Sequence, residues 1–222
     1  MKTTAFMRDM KMPKGRAGKQ IRVLIAIIAV LLIGTAAWGA RNYFSVRRMR
    51  DAHQAFVDGL KEFEKNIAAE ADQRQWGDVV RAFDAAHKRY GQTAFGPSFA
   101  AYKARALIYG NKHEEAIKAM AQAVASLKKS SPFFYIYSVD LALMKIDSDD
   151  KSISADGRKE LDALAENLKN PQRDYALYYA GLYALNHNEK QKVRLMWDRI
   201  AQADPHSVWL PLIQRKKTLL ES

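Results

Sequence analysis

The sequence predicts an all-α protein in which a single transmembrane helix precedes a series of helical hairpins that stack into a solenoid. Three observations lead to this fold class. Residues 23–40 contain no charged side chain. From residue 45 onward, apolar residues recur every three or four positions, which is the period of a helix with one buried face. Short polar segments, often with Gly or Pro, separate these periodic stretches and predict the turns.

The net charge of +12 is unevenly distributed and excludes some classes of partner. Residues 1–22 contain seven Lys or Arg and one acid, giving +6, while the rest has 29 basic and 23 acidic residues. A basic tail beside an apolar run is typical of a segment held against anionic lipid. No predicted helix has an uninterrupted basic face and no nucleic-acid-binding motif is present, so we expect no nucleic-acid partner. The absence of cysteine excludes disulfides and thiolate metal sites.

The apolar run has the length of a membrane span. Its eighteen residues would extend about 27 Å as a helix, close to the thickness of the hydrocarbon core. Arg22 and Arg41 flank the run, and Trp38 and Tyr43 fall where an interfacial aromatic belt is expected. We predict that these four residues position the span in the membrane.

A cleaved signal peptide is the alternative for this run, because small residues at 35–37 have the spacing of a cleavage site. The run exceeds a signal-peptide core, which favours an uncleaved anchor. Seven basic residues precede the span and four follow it, so we expect a cytoplasmic N-terminus and a C-terminal domain outside the cytoplasm, which is the periplasm if the cell is Gram-negative. The predicted segments are a tail (1–22), a transmembrane helix (23–40), a juxtamembrane helix (41–70) and a repeat domain (71–222).

The helices of the body follow from the apolar period and its interruptions. Gly96-Pro97, Gly110-Asn111 and Ser130-Ser131-Pro132 are breaks of the kind that end one helix and begin the next. Ser207 is a residue type that caps helices, and Pro211 fits the first turn of a helix that starts there. The predicted helices cover residues 49–67, 76–90, 97–109, 113–127, 133–146, the stretch from 151 to 170, 175–185, 189–203 and the segment from 207 onward.

The segment "YALYYAGLYALNHNEKQKVRLMWDRIAQADP" has the spacing of a tetratricopeptide (TPR) repeat, although only Gly181 and Pro205 match by identity. We expect Gly181 at a close helix crossing, a turn at Asn188, and Trp197 in the core of the hairpin. An earlier hairpin with a turn at Asn111 has the same outline. The chain is therefore predicted to contain three or four divergent TPR-like hairpins and a closing helix.

We predict no enzyme activity, no cofactor, no metal site and no small-molecule substrate. The five histidines lack helical ligand spacing, and His113-Glu114-Glu115 is followed at position 117 by isoleucine where a zinc protease needs its second histidine. No glycine-rich phosphate loop or nucleophile elbow is present.

The order of these parts resembles the YfgM family of TPR-like ancillary subunits of the SecYEG translocon. The likeness rests on "GARNYF" after the apolar run, the hairpin "FAAYKARALIYGNKHEEAIKAMAQAV", the repeat quoted above and the last helix "SVWLPLIQRKKTLLES". The resemblance implies a single-pass inner-membrane protein with a periplasmic domain. It also implies three kinds of partner: a SecYEG-type translocon, a membrane chaperone of the PpiD type, and exported client proteins.

In TPR-like stacks the first helices of the hairpins line a concave groove. Tyrosine and arginine suit the recognition of an extended or helical peptide. Core packing is the alternative for each of these aromatic residues, and we assign Tyr179 to the core. The predicted groove residues are Arg105, Tyr109, Tyr175, Tyr178 and Asn186, together with Ala101.

A second function class is a structural assembly factor that acts through its transmembrane and juxtamembrane helices. On that view, replacing residues 23–40 with an unrelated span abolishes function, whereas on the groove view it does not.

Overall fold

A computed structural model describes residues 16–221 of the chain, with the side chains of residues 31–216 except 32, 33 and 36. Within these residues the regular structure is entirely helical and contains no strand, which confirms the all-α class. A short 3-10 helix covers Ala71–Gln73. The α-helices are α1 (Arg16–Ala68), α2 (Trp76–Tyr90), α3 (Gly96–Tyr109), α4 (His113–Ala125), α5 (Pro132–Ile146), α6 (Lys151–Glu166), α7 (Arg173–Asn186), α8 (Lys190–Ala203) and α9 (Leu210–Glu221).

The chain divides into two units, Met1–Arg50 and Asp51–Ser222. In the first unit α1 carries exposed aromatic side chains, with Trp38 72 % and Tyr43 63 % exposed, and Arg41 is exposed as well. The structure contains no helix, among the residues it describes, with the length and hydropathy needed to cross a membrane. The side chain of Arg22 and most of those in the predicted span lie outside the described residues.

The second unit is a series of antiparallel hairpins. The C-terminal part of α1 packs with α2, and the pairs α3–α4, α5–α6 and α7–α8 follow, with α9 against the last pair. Fully buried side chains fill each interface, because every helix has an apolar face with the helical period. The largest of them are Trp197, Phe83, Phe99, Leu107, Met120, Leu161, Leu177, Ile200 and Ile213.

Two hairpins share the same turn geometry. Asn111 after α3 and Asn188 after α7 both adopt left-handed backbone conformations, with φ of 57° and 58°. In each turn the third residue after the helix end donates its N–H back into the helix. Lys112 donates to the Leu107 carbonyl and Glu189 to the Ala184 carbonyl, both at 2.9 Å. Asparagine tolerates this conformation better than most residues. The predicted turns at both positions are confirmed.

Gly181 marks the close crossing of α7 and α8. A Cβ atom at this position would lie only 2.2 Å from Trp197 Nε1. Trp197 is fully buried and its indole N–H points to the Tyr178 carbonyl at 3.4 Å. The predicted crossing glycine and core tryptophan are therefore confirmed.

Two predicted helix boundaries are wrong. α6 ends at Glu166 rather than near 170, because the Asn170 side-chain amide donates to the Leu164 carbonyl at 2.9 Å and so satisfies one of the last backbone acceptors of the helix. The last helix begins at Leu210 rather than at Ser207. Ser207 is buried, and its hydroxyl donates to Asp174 Oδ2 at 3.1 Å, which ties the turn before α9 to the start of α7.

Consecutive hairpins are also joined by an ion pair between α2 and α3. Lys103 Nζ lies 2.5 Å from Asp84 Oδ1, and Lys88 Nζ lies 2.8 Å from Asp84 Oδ2. Hydrogen bonds from these two ammonium groups lower the pKa of Asp84 from 3.8 to about 2. A depressed carboxyl pKa adds stability above the unfolded-state value, and that stability is lost as pH falls through the folded-state value.

We therefore expect Asp84→Asn to lower the free energy of unfolding by about 1 kcal/mol at neutral pH, since the side chain is partly solvated. The difference from the unmodified protein should close as pH falls from about 4 to about 2. Urea unfolding followed by circular dichroism across this range measures it. Asp156→Asn is the matched control, because its 3.8 Å pair with Lys159 is well exposed. A gap at pH 2 as large as the gap at neutral pH contradicts the linkage.

Candidate binding groove

A groove of about 540 Å³ runs across the first helices of the successive hairpins. Its walls come from the end of α1, from α3, α5 and α7, so one side of four neighbouring hairpins contributes to a single surface. The lining residues are Phe63, Arg105, Ile108, Tyr109, Asp140, Leu143, Met144, Asp147, Tyr175 and Tyr179. Such a surface matches the concave face that helical-repeat proteins use for binding.

A buried carboxylate forms the floor of the groove and links three helices. Arg105 on α3 donates from Nη2 to Asp140 Oδ2 on α5 at 2.6 Å. Tyr175 on α7 donates its hydroxyl to the other oxygen, Asp140 Oδ1, at 2.8 Å. The Asp140 side chain is only 10 % exposed, so both of these donors compensate for its lost hydration.

The protonation states of this network follow from its burial. Burial and the neighbouring Asp140 carboxylate raise the pKa of Tyr175 far above its usual value, so its hydroxyl remains a donor. Burial acts to lower the pKa of Arg105, but the charge and hydrogen bond of Asp140 outweigh it and the net shift is upward. Burial also raises the pKa of Tyr179. At physiological pH the groove therefore presents the Tyr175 and Tyr179 phenols in their neutral form and the Arg105 guanidinium in its charged form.

An aromatic cluster forms one side of the groove. Tyr109 stacks on Trp76 with ring centroids 4.5 Å apart and planes 14° apart. Phe63 meets Tyr109 edge-on at 5.8 Å, and the Arg105 guanidinium lies 4.9 Å above the Tyr102 ring. Because Tyr109 is still 51 % exposed, part of its side chain is accessible to a ligand.

Three of the predicted groove residues lie together here. Arg105, Tyr109 and Tyr175 line the same cavity. Arg105 was predicted from the sequence to lie in the groove, but its ion-pair partner Asp140 was not. Asp140 is the signal that was missed: it is the one acidic residue in the otherwise apolar stretch of α5, and an acid in a buried helix implies a paired cation.

The predicted roles of Tyr178 and Tyr179 are exchanged. Tyr178 is only 7 % exposed, and it stacks on Trp209 with ring centroids 4.6 Å apart. Tyr179 is half-buried and lines the groove. Trp209 precedes α9 and covers the face of α7 that Tyr178 occupies, which assigns that tyrosine to the core. Ala101 is likewise fully buried.

Asn186 lies away from this surface. It is the last residue of α7, it is exposed, and it is not among the lining residues of the groove. The groove runs past the first half of α7, where Tyr175 and Tyr179 lie.

Among the described side chains there is no group of three or more His, Asp or Glu residues placed to hold a metal ion. The groove residues themselves are mainly aromatic and aliphatic.

No protein-family model matches the chain, and no curated protein matches it significantly, so the resemblance to the YfgM family stays a prediction from the sequence motifs.

Proposed function

We propose that this chain is a membrane-anchored protein–protein interaction module whose TPR-like domain binds a segment of a partner protein in the groove. The observation that carries the proposal is that α1, α3, α5 and α7, one helix from each of four successive hairpins, contribute to one open surface with tyrosines from both α3 and α7. Tyrosine and arginine supply large contact area together with polar tips, which is why they dominate binding energy in many interfaces. An exposed groove of this composition suits a peptide better than a small polar metabolite.

The proposal includes an anchor formed by residues 23–40, with Arg22, Trp38, Arg41 and Tyr43 at its borders. The domain would then lie on the outer face of the inner membrane, near a SecYEG-type translocon, and assist exported proteins together with a PpiD-type chaperone. Holding the domain in the membrane raises its effective concentration near a membrane partner, so a modest affinity suffices.

We expect Tyr109→Ala to reduce the amount of translocon or chaperone that co-purifies with the full-length chain by about tenfold, because it removes an exposed aromatic ring from the groove. Quantitative immunoblotting of the detergent-solubilised complex measures this loss. Leu195→Ala is the matched control, since Leu195 on α8 is also 51 % exposed but lies outside the groove. Equal retention of partners by both variants would contradict groove binding.

Further experiments test the anchor and distinguish the proposal from a structural assembly factor. A reporter fused after Ser222 that is active only outside the cytoplasm tests the orientation, and the mature mass tests whether the apolar run is cleaved. Replacing residues 23–40 with an unrelated span should leave partner binding intact on our proposal. If replacing residues 23–40 abolishes function and Tyr109→Ala has no effect, the assembly factor is favoured.

A further inference from the structure

The charged residues of the groove do not balance. Three of the lining side chains carry charge: Arg105, Asp140 and Asp147. The first two neutralise each other through their 2.6 Å contact. Asp147 is exposed, and its carboxylate makes no ion pair or side-chain hydrogen bond with any residue that the structure describes. The groove therefore contains one uncompensated negative charge.

The position of Asp147 strengthens this charge. It is the C-cap of α5, where the carbonyl groups of the last turn carry the negative end of the helix dipole. A carboxylate at that end is unfavourably placed in the free protein, and a bound cation relieves the repulsion. Lys145 in the same turn does not supply that cation, because its ammonium group is bound to Glu160 at 2.6 Å.

The other groove walls suit the rest of a basic side chain. Tyr109, Tyr175 and Tyr179 line the same cavity, and aromatic rings attract cations. Apolar side chains line the same cavity, and these can cover the aliphatic stem of lysine or arginine. They are Ile108, Leu143 and Met144.

We propose that the groove selects peptide segments in which a lysine or arginine is flanked by apolar residues, with Asp147 as the counter-ion of the basic side chain. This inference rests on the proposed function, since it names the chemistry of the segment that the groove binds. The bound cation would lie between the Asp147 carboxylate and the tyrosine rings. The flanking apolar residues would cover Leu143 and Met144.

The test uses the full-length chain in detergent and fluorescent ten-residue peptides of Leu, Ala and Ser that differ only at one central position. We expect lysine and arginine peptides to bind about tenfold more tightly than the norleucine peptide at low salt, and the glutamate peptide to bind more weakly still. Asp147→Asn should reduce the lysine preference to within about twofold, and so should high salt. Fluorescence anisotropy gives each affinity.

Asp149→Asn is the matched control, because Asp149 is an exposed acid two residues further along the same loop and is not in the lining. It should keep the full lysine preference. Equal binding of all four peptides, or a lysine preference that survives Asp147→Asn, overturns the inference. If all four peptides bind equally but Tyr109→Ala still weakens their binding, the proposed peptide groove stands without its charge selectivity. If no peptide binds, the inference and the peptide groove fail together.

Discussion

Asp140→Ala is expected to lower the free energy of unfolding by about 3 kcal/mol, because it leaves a buried cation and a buried hydroxyl without their acceptor. Arg105 loses the carboxylate at 2.6 Å, and Tyr175 loses the acceptor at 2.8 Å. This expected loss lies at the lower end of the range for broken buried ion pairs, since the Arg105 side chain is 32 % exposed and water can solvate part of its charge. Urea unfolding of the full-length chain in detergent, followed by circular dichroism, measures the loss.

The matched variant removes both charges. In the double variant Asp140→Leu with Arg105→Leu, no charge is left buried without a partner, so we expect it to be more stable than Asp140→Ala alone. The effects of the two sites should then be strongly non-additive, as for any pair in direct contact. Strict additivity of Asp140→Leu and Arg105→Leu would show that the contact contributes nothing to stability.

Trp197→Ala is expected to have the largest effect of the variants considered, a loss of about 3–5 kcal/mol. The side chain is fully buried in the core cluster that α7 and α8 share, and the surrounding residues are expected to relax only partly into the space that it leaves. The change also removes the indole N–H that points to the Tyr178 carbonyl. Thermal or urea unfolding of the full-length chain measures the loss, and a loss below about 1 kcal/mol would contradict tight packing at this crossing.

Gly181→Ala probes the same contact from the other helix. Alone it should cost about 1–3 kcal/mol, because its Cβ would overlap the indole ring. In the Trp197→Ala background that overlap is gone, so the added methyl group should be neutral or stabilising through its better helix propensity. Gly77→Ala on α2 is the control for propensity, since the nearest contact of its Cβ would be the flexible end of Arg81 at 3.7 Å.

Periodicity was sufficient to predict most of the helices. The apolar spacing gave α2 and α5 nearly to the residue, because each has a long stripe and a clear break at its ends. The turns at Asn111 and Asn188 followed from the breaks in the apolar period and from the repeat spacing, and both asparagines adopt the left-handed backbone conformation that few residues tolerate.

The groove could be predicted only in part, because it depends on contacts between distant segments. Tyr178 and Tyr179 are adjacent, so they point about 100° apart on a helix, and the sequence pattern of α7 suits either of them to the core. Trp209, some thirty residues later, stacks on Tyr178 and so places that tyrosine in the core. Likewise the Ser207 hydroxyl accepts locally from the Trp209 N–H at 3.4 Å, but it also donates to Asp174 on another helix, which no local pattern predicts.

The carboxylate of Asp140 has a consequence for the mechanics of the domain. In an array of repeats each unit normally touches only its neighbours, so the array is flexible and its curvature can change when a ligand binds. Here one side chain joins α3, α5 and α7, which belong to three successive hairpins. That junction fixes the local curvature before any ligand arrives. A partner would therefore meet a preshaped surface and lose little binding energy to ordering it.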